Sequence, residues 1–279
     1  MKILFYFTAL LIAFASCRLK PIDIKVDPAP SKLVAFTQVI PNNFMIVTLT
    51  KSFSALEGNT TDSLQNLLVS GATVQIIFNN QTFNFYEQNP GIYISYQPAF
   101  QVNEEYELIA WYNGDTIHST TKMLPQVNFT NVTPSVDKTT VDSLVYIDLS
   151  FADIASVDNW YLINIYKKQP TQSGADVNNY FANGDNTLAK SILVSDKEFN
   201  GTYQNKFEVK DLYHKDSIVV TLSNINQDYF NYLGFRVGGG NVFNALNIEP
   251  VTYPTNIING YGFFNTHFPD MKYFDLSVY

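Results

Sequence analysis

The chain has 279 residues, with 17 Lys and Arg against 25 Asp and Glu for a net charge of −8, and 46% of it is hydrophobic. An acidic balance excludes a nucleic-acid partner, whose phosphates must be met by Lys and Arg, and the length is expected to divide into two ordinary domains. With one cysteine, no intramolecular disulfide can form, so stability in an oxidising compartment must come from packing.

At the N-terminus Lys2 precedes "ILFYFTALLIAFA", residues 3–15, which carries no charge. This is the layout of a signal peptide. A membrane-spanning helix needs about 20 apolar residues, more than this run supplies. Ala15 and Ser16 lead directly into Cys17, with Phe14 at the third place before it. The arrangement resembles the lipobox of bacterial lipoproteins, although Leu or Val is usual where Phe14 stands. Residues 1–16 are therefore expected to be removed as a lipoprotein signal peptide, with Cys17 as the lipidated first residue. Several acyl chains, at about 0.8 kcal/mol per buried methylene, would hold the protein to a membrane by its N-terminal lipid. Residues 17–32 then mix charges with Pro21, Pro28 and Pro30. At about 3.1 Å per residue this Pro-rich tether reaches roughly 40 Å.

From Leu33 the pattern has period two. "LVAFTQVI" and "FMIVTLT" flank "PNN", and "GATVQIIFNNQTFNFYE" carries an Asn-Asn turn. "GIYISY" and "EYELIAWYNGDTIHSTT" follow, the latter with an Asn-Gly turn, the strongest short-range hairpin signal. About seven strands fit into residues 33–125, the count of an immunoglobulin-like β-sandwich. Residues 52–69 are polar, Ser-rich and without alternation, and read as a long loop with one helical turn.

"MLPQVNFTNVTPSVDKTTVDS", residues 123–143, contains Pro125 and Pro134 and is expected to hold the boundary, with a second β-rich domain over 126–279. Its strands are "LVYIDLSF", "WYLINIYKK", "TLAKSILV", "NKFEVK" and "DSIVVTLS", with a polar loop at 169–186. In "NINQDYFNYLGFRVGGG", Ile225, Tyr229, Tyr232 and Leu233 fall at helical spacing, with Gly234 placed to end one short helix. No repeat of 20 to 50 residues is visible. Outer-membrane barrel strands need about ten residues each, longer than most runs here. The expected class is therefore all-β, two sandwiches with one short helix.

Several stretches together carry a family likeness: "GATVQIIF", "GIYISY", "EYELIAWYNGDTIHSTTKMLPQV", "VSDKEFNG", "YFNYL", "GGNVF" and "PTNIINGYGFF", in that order. The chain resembles the Bacteroidota outer-membrane lipoproteins catalogued as domain of unknown function 4249, over nearly all of the mature sequence. The resemblance implies a lipid-anchored N-terminus at the outer membrane, on its cell-surface or periplasmic face, and genes often encoded beside TonB-dependent receptors.

Catalytic and metal-binding signatures are missing. His118, His214 and His267 share no ligand spacing. There is no Gly-x-Ser-x-Gly elbow, and "VGGGN" lacks the Lys-Ser/Thr of a phosphate loop. Glu104 with Glu105, and Asp211 with Asp216, read as solvated neighbours. No cofactor and no enzymatic activity are expected. In "SDKEFNG", Ser195 and Glu198 have capping-box spacing. In "NIINGYGFF", the aromatics either finish a core at a tight turn or form an exposed contact patch. Trp111, Tyr112, Tyr261 and Phe263 are the candidate binding residues. The expected role is a non-catalytic outer-membrane accessory of a TonB-dependent receptor in substrate capture or gating. The alternatives are a surface adhesion protein or a carbohydrate-binding module, of which an exposed row of Trp111, Tyr112 or Trp160 would be the sign.

Overall fold

A computed structural model describes residues 30–40, 44–53, 64–96, 101–138, 143–168, 186–199, 201–235 and 254–279. The signal peptide, Cys17, nearly all of the tether, the "PNN" turn, most of the 169–186 loop and "GGNVF" lie outside them. The fold is all-β with one helix.

The first sandwich holds β1 (Leu33–Ile40), β2 (Phe44–Lys51), β3 (Thr73–Phe78), β4 (Gln81–Asn84), β5 (Tyr86–Asn89), β6 (Ile92–Ser95), β7 (Glu105–Tyr112) and β8 (Asp115–Lys122). These are eight strands where the alternation suggests about seven, because the run "QTFNFYE" breaks at Phe85 into β4 and β5. One sheet contains β1-β2-β6-β5 and the other β4-β3-β7-β8. In immunoglobulin lettering this is A-B-E-D against C′-C-F-G. The two hairpin turns read from asparagines are of the primed kind. Asn79 and Asn80 take φ of 48° and 56°, and Asn113 and Gly114 take 49° and 90°, the left-handed pair that suits strand twist. Met45, Val47 and Leu49 of β2 meet Val74, Ile76 and Phe78 of β3 and Tyr106, Leu108 and Ala110 of β7 in one buried core. Tyr106, near the start of β7, turns its hydroxyl back to accept from the Gln101 N–H at 2.6 Å. This is the tyrosine corner of immunoglobulin-like domains.

The second sandwich repeats the plan with β9 (Phe129–Asp137), β10 (Leu144–Ala152), β11 (Trp160–Lys168), β12 (Asn186–Ser195), β13 (Thr202–Val209), β14 (Ser217–Ile225) and β16 (Asp270–Asp275). Its sheets are β13-β10-β9 and β12-β11-β14-β16, or A-B-E against C′-C-F-G. Pro134, read as part of a boundary, lies within β9 opposite Ile147. A proline is tolerated there because β9 is an edge strand. Asp216, read as solvated, is buried: Lys167 Nζ lies 3.0 Å from its Oδ2, and the Tyr213 N–H donates to the same oxygen at 2.7 Å.

Between β14 and β16 the chain leaves the second sandwich. It forms helix α1 over residues 227–235 and then β15 (Tyr261–Phe263), which pairs in parallel with β1. Ile257 and Phe264 are buried in the first core, so this part of 126–279 packs with the first sandwich and departs from the expected division. A Cβ on Gly262, at φ +105°, would stand 1.9 Å from the Ala35 carbonyl oxygen, and one on Gly260 would stand 2.6 Å from that of Leu33. Only glycine lets β15 approach β1 so closely. Ile225 ends β14 instead of opening the helix, and α1 runs through Gly234 to Phe235. Aromatic packing offsets a helical glycine's cost of about 1 kcal/mol. Tyr232 is buried, with its ring centroid 5.0 Å from that of Phe263.

Candidate functional site

The excursion builds a junction out of amide side chains. Asn226, just before α1, directs Nδ2 to the Lys122 carbonyl at 3.0 Å, Asn265 Oδ1 at 3.1 Å and Thr121 Oγ1 at 3.2 Å. The Asn265 N–H donates to Thr37 Oγ1, whose hydroxyl donates to the Asn265 carbonyl, both at 3.0 Å. Asn256 holds Phe264 from both sides, accepting from its N–H at 2.9 Å and donating to its carbonyl at 2.7 Å. Asn224 Nδ2 donates to the Pro125 carbonyl at 3.1 Å. The Asn226, Asn265 and Asn224 bonds reach across a junction that strand pairing alone would leave open, and the Asn256 pair stiffens the excursion from within.

Beside this junction an open cleft of about 760 Å³ separates the sandwiches. Thr120, Thr121 and Lys122 at the end of β8 form one side, and Ile154, Val157, Asp158, Asn159 and Trp160 the other. Asn224, Asn226 and Asp228 line the base. The second wall is a loop braced from within. The Asn159 N–H donates to Asp196 Oδ2 at 2.7 Å, and its Nδ2 reaches the carbonyls of Val157 at 2.8 Å and Ile154 at 3.0 Å. The Tyr161 hydroxyl donates to Asp153 Oδ1 in a short hydrogen bond. Burial, reinforced by that carboxylate, raises the Tyr161 pKa well above the usual tyrosine range. The loop is thus fixed before any ligand arrives, and it presents Trp160 and exposed Val157 beside carboxylate and amide groups. Such a lining can hydrogen-bond hydroxyl or amide groups and stack an apolar face.

The Ser195 to Gly201 motif sits behind the same loop. Ser195 caps a 3-10 turn at Asp196–Glu198, its Oγ accepting from the Lys197 N–H at 3.4 Å, one residue short of the capping-box position. Asp196 thereby becomes the anchor for Asn159.

The structure brings Trp111, Tyr112 and Tyr261 to the opposite end of the first sandwich. Trp111 and Tyr112 close β7 at the Asn113-Gly114 turn, and Tyr261 opens β15 beside Val34. Trp111 is 38% exposed and Tyr261 43%. Lys51 Nζ lies 4.9 Å from the Tyr112 ring centroid and Lys32 Nζ 5.3 Å from that of Tyr261. Phe263 does not join them: only 4% exposed, it packs against both Tyr229 and Tyr232 and touches the cleft edge. The "NIINGYGFF" stretch therefore divides, Tyr261 outward, Phe263 and Phe264 inward.

Asn159, Asn224 and Asn226 escape sequence reading because isolated asparagines look like loop composition. Their only signal is recurrence beside strand ends in "VDNWY" and "SNINQD". Among the described residues, no group of three or more His, Cys, Asp or Glu is placed to hold a metal ion, and no helix is long and apolar enough to cross a membrane.

The family model described as domain of unknown function (DUF4249) matches residues 19–270. No curated protein matches the chain. Among solved structures it is similar to the crystal structure of titin domains A168–A170 at 10% identity and a TM-score of 0.20. That match covers 72% of this chain and spans 62% of the titin chain.

Proposed function

The chain belongs to the DUF4249 family, and on that premise we propose a non-catalytic, lipid-anchored outer-membrane protein that captures a polar ligand for a TonB-dependent receptor. The lipobox-like Cys17 and the family's genomic company support the anchor and the partner. One structural observation supports capture: the chain returns from the second sandwich to pair β15 with β1, so the cleft walls are tied across both sandwiches. A preorganised cleft spends little binding energy on closure.

Purification of the tagged protein from its native host in mild detergent tests this. The expected result is co-purification of an outer-membrane TonB-dependent receptor with a mature product that begins at acylated Cys17. Repeated isolation without any such receptor overturns the accessory role, and an unmodified residue 17 overturns the anchor.

A second reading, a carbohydrate-binding module, is favoured by Trp160 standing among amides and hydroxyls in the cleft. An indole face beside hydrogen-bonding groups is the chemistry that holds a neutral polyhydroxylated ligand. A glycan array should show binding that Trp160→Ala reduces about tenfold without change in thermal stability. An array with no binding removes this reading.

A further inference from the structure

We propose that the end of the first sandwich carrying Trp111 and Tyr261 is a face that seats on the lipid bilayer. The inference rests on the lipid-anchor reading and goes beyond it, because a tether long enough to hold the body off the membrane does not by itself bring any surface down.

The described chain enters the body at this end. Ser31 Oγ donates to the Ser52 carbonyl at 2.6 Å, the Lys32 N–H donates to Ser52 Oγ at 2.9 Å, and the Ser52 N–H donates to the Lys32 carbonyl at 2.8 Å. The attachment point is thus pinned to the first and second strands. Around it stand four exposed large apolar side chains: Phe53 at 59%, Trp111 at 38%, Ile258 at 52% and Tyr261 at 43%. Lys32 and Lys51 lie over the Tyr261 and Tyr112 rings. Aromatic rings with ammonium tips are the composition of the membrane–water interface, where an amphipathic ring sits at headgroup depth and a lysine reaches the phosphates. Asp115 at the hairpin end and Glu87, which accepts from the Ser70 hydroxyl and the Gly71 N–H just before β3, are opposing charges.

The route of the chain names the occupant. Residues 18–29 separate Cys17 from the first described residue, so this end is the part of the body nearest along the chain to the anchored lipid. A surface tethered to its partner meets it at high effective concentration, and weak contacts are then enough. β7 runs from Glu105 in the cleft to Trp111 at this end, about 20 Å, while β15 leads from Tyr261 at this end back to Phe263 at the cleft edge.

The test uses the chain beginning at Arg18, which keeps every described residue and has no acyl group, with Trp160→Phe so that Trp111 is the sole reporter. The probes are vesicles of phosphatidylcholine alone or with phosphatidylglycerol. The expected result is flotation with the anionic vesicles, weakened by salt, with Trp111 emission moving to the blue. Replacing Phe53, Trp111, Ile258 and Tyr261 together by Ser should lower the bound fraction about fivefold with the thermal transition unchanged. Lys32→Gln with Lys51→Gln should weaken the salt dependence, with Arg18, Lys20 and Lys25 of the tether carrying the remainder. Absence of flotation at low salt, or flotation that survives the fourfold variant, overturns the seating face. The mass of residue 17 in the native product is read separately, so failure of the anchor and failure of the face are distinct results.

Discussion

His267 shows how one side chain can set the acid tolerance of the junction. Its Nδ1 lies 2.8 Å from Asn265 Nδ2, and its ring stacks on Tyr229 with centroids 6.1 Å apart. Donation from the amide assigns the proton to Nε2. Burial lowers the pKa from 6.5 to about 4, so the folded chain holds a neutral imidazole where the unfolded chain would take up a proton. The stabilisation is complete above the unfolded value near 6.5, declines as pH falls, and is lost by about 4. The change should be about 2 kcal/mol, smaller than the whole shift implies because the side chain keeps some contact with water. Urea midpoints at pH 7.5 and 4.5 check this: His267→Gln should lose less stability across that interval than the parent. Equal losses would exclude His267 as the source.

At the scale of elements, β15 carries a constraint that no other described strand does. In Gly262→Ala, the added carbon would fall on the Ala35 carbonyl at a backbone angle that L residues rarely adopt. Either β15 leaves β1 or the edge of the first sheet distorts. A loss of about 3 kcal/mol is expected by guanidinium denaturation, whereas Gly114→Ala, where nothing lies within 4 Å, should cost only the positive-φ strain, about 1 kcal/mol. Equal effects would show that close approach is not the constraint. The hairpins around Asn79-Asn80 and Asn113-Gly114 were legible because turn and alternation are local in the chain. β9 was obscured by Pro134, since only its place at a sheet edge reconciles a proline with pairing. β15 could not be read at all: it is three residues long, and its partner Val34–Phe36 lies more than two hundred positions earlier. For the same reason "NIINGYGFF" left core and contact patch both open, with the core favoured. The cleft was the least legible feature, because Asn159 and Asn226 gain meaning only from what Asp196 and Lys122 bring to them.

In the molecule as a whole, two sandwiches of one strand order are tied by a strand borrowed from the second by the first. Loss of the second would free α1 and β15, stripping Phe264 and Ile257 from the first core. A single calorimetric transition is expected, with van't Hoff and calorimetric enthalpies in agreement. Two separable transitions would show that the excursion does not couple the sandwiches.

The late arrival of β15 and β16 also bears on biosynthesis. A polypeptide delivered N-terminus first offers both sandwiches as unclosed sheets until residues 261–275 emerge, since each waits for a strand from that stretch and long-range pairing is slow to form. During synthesis this ordering works as a timer. It postpones full pairing of both sandwiches until the last residues emerge, and in the interval it leaves those two edges exposed.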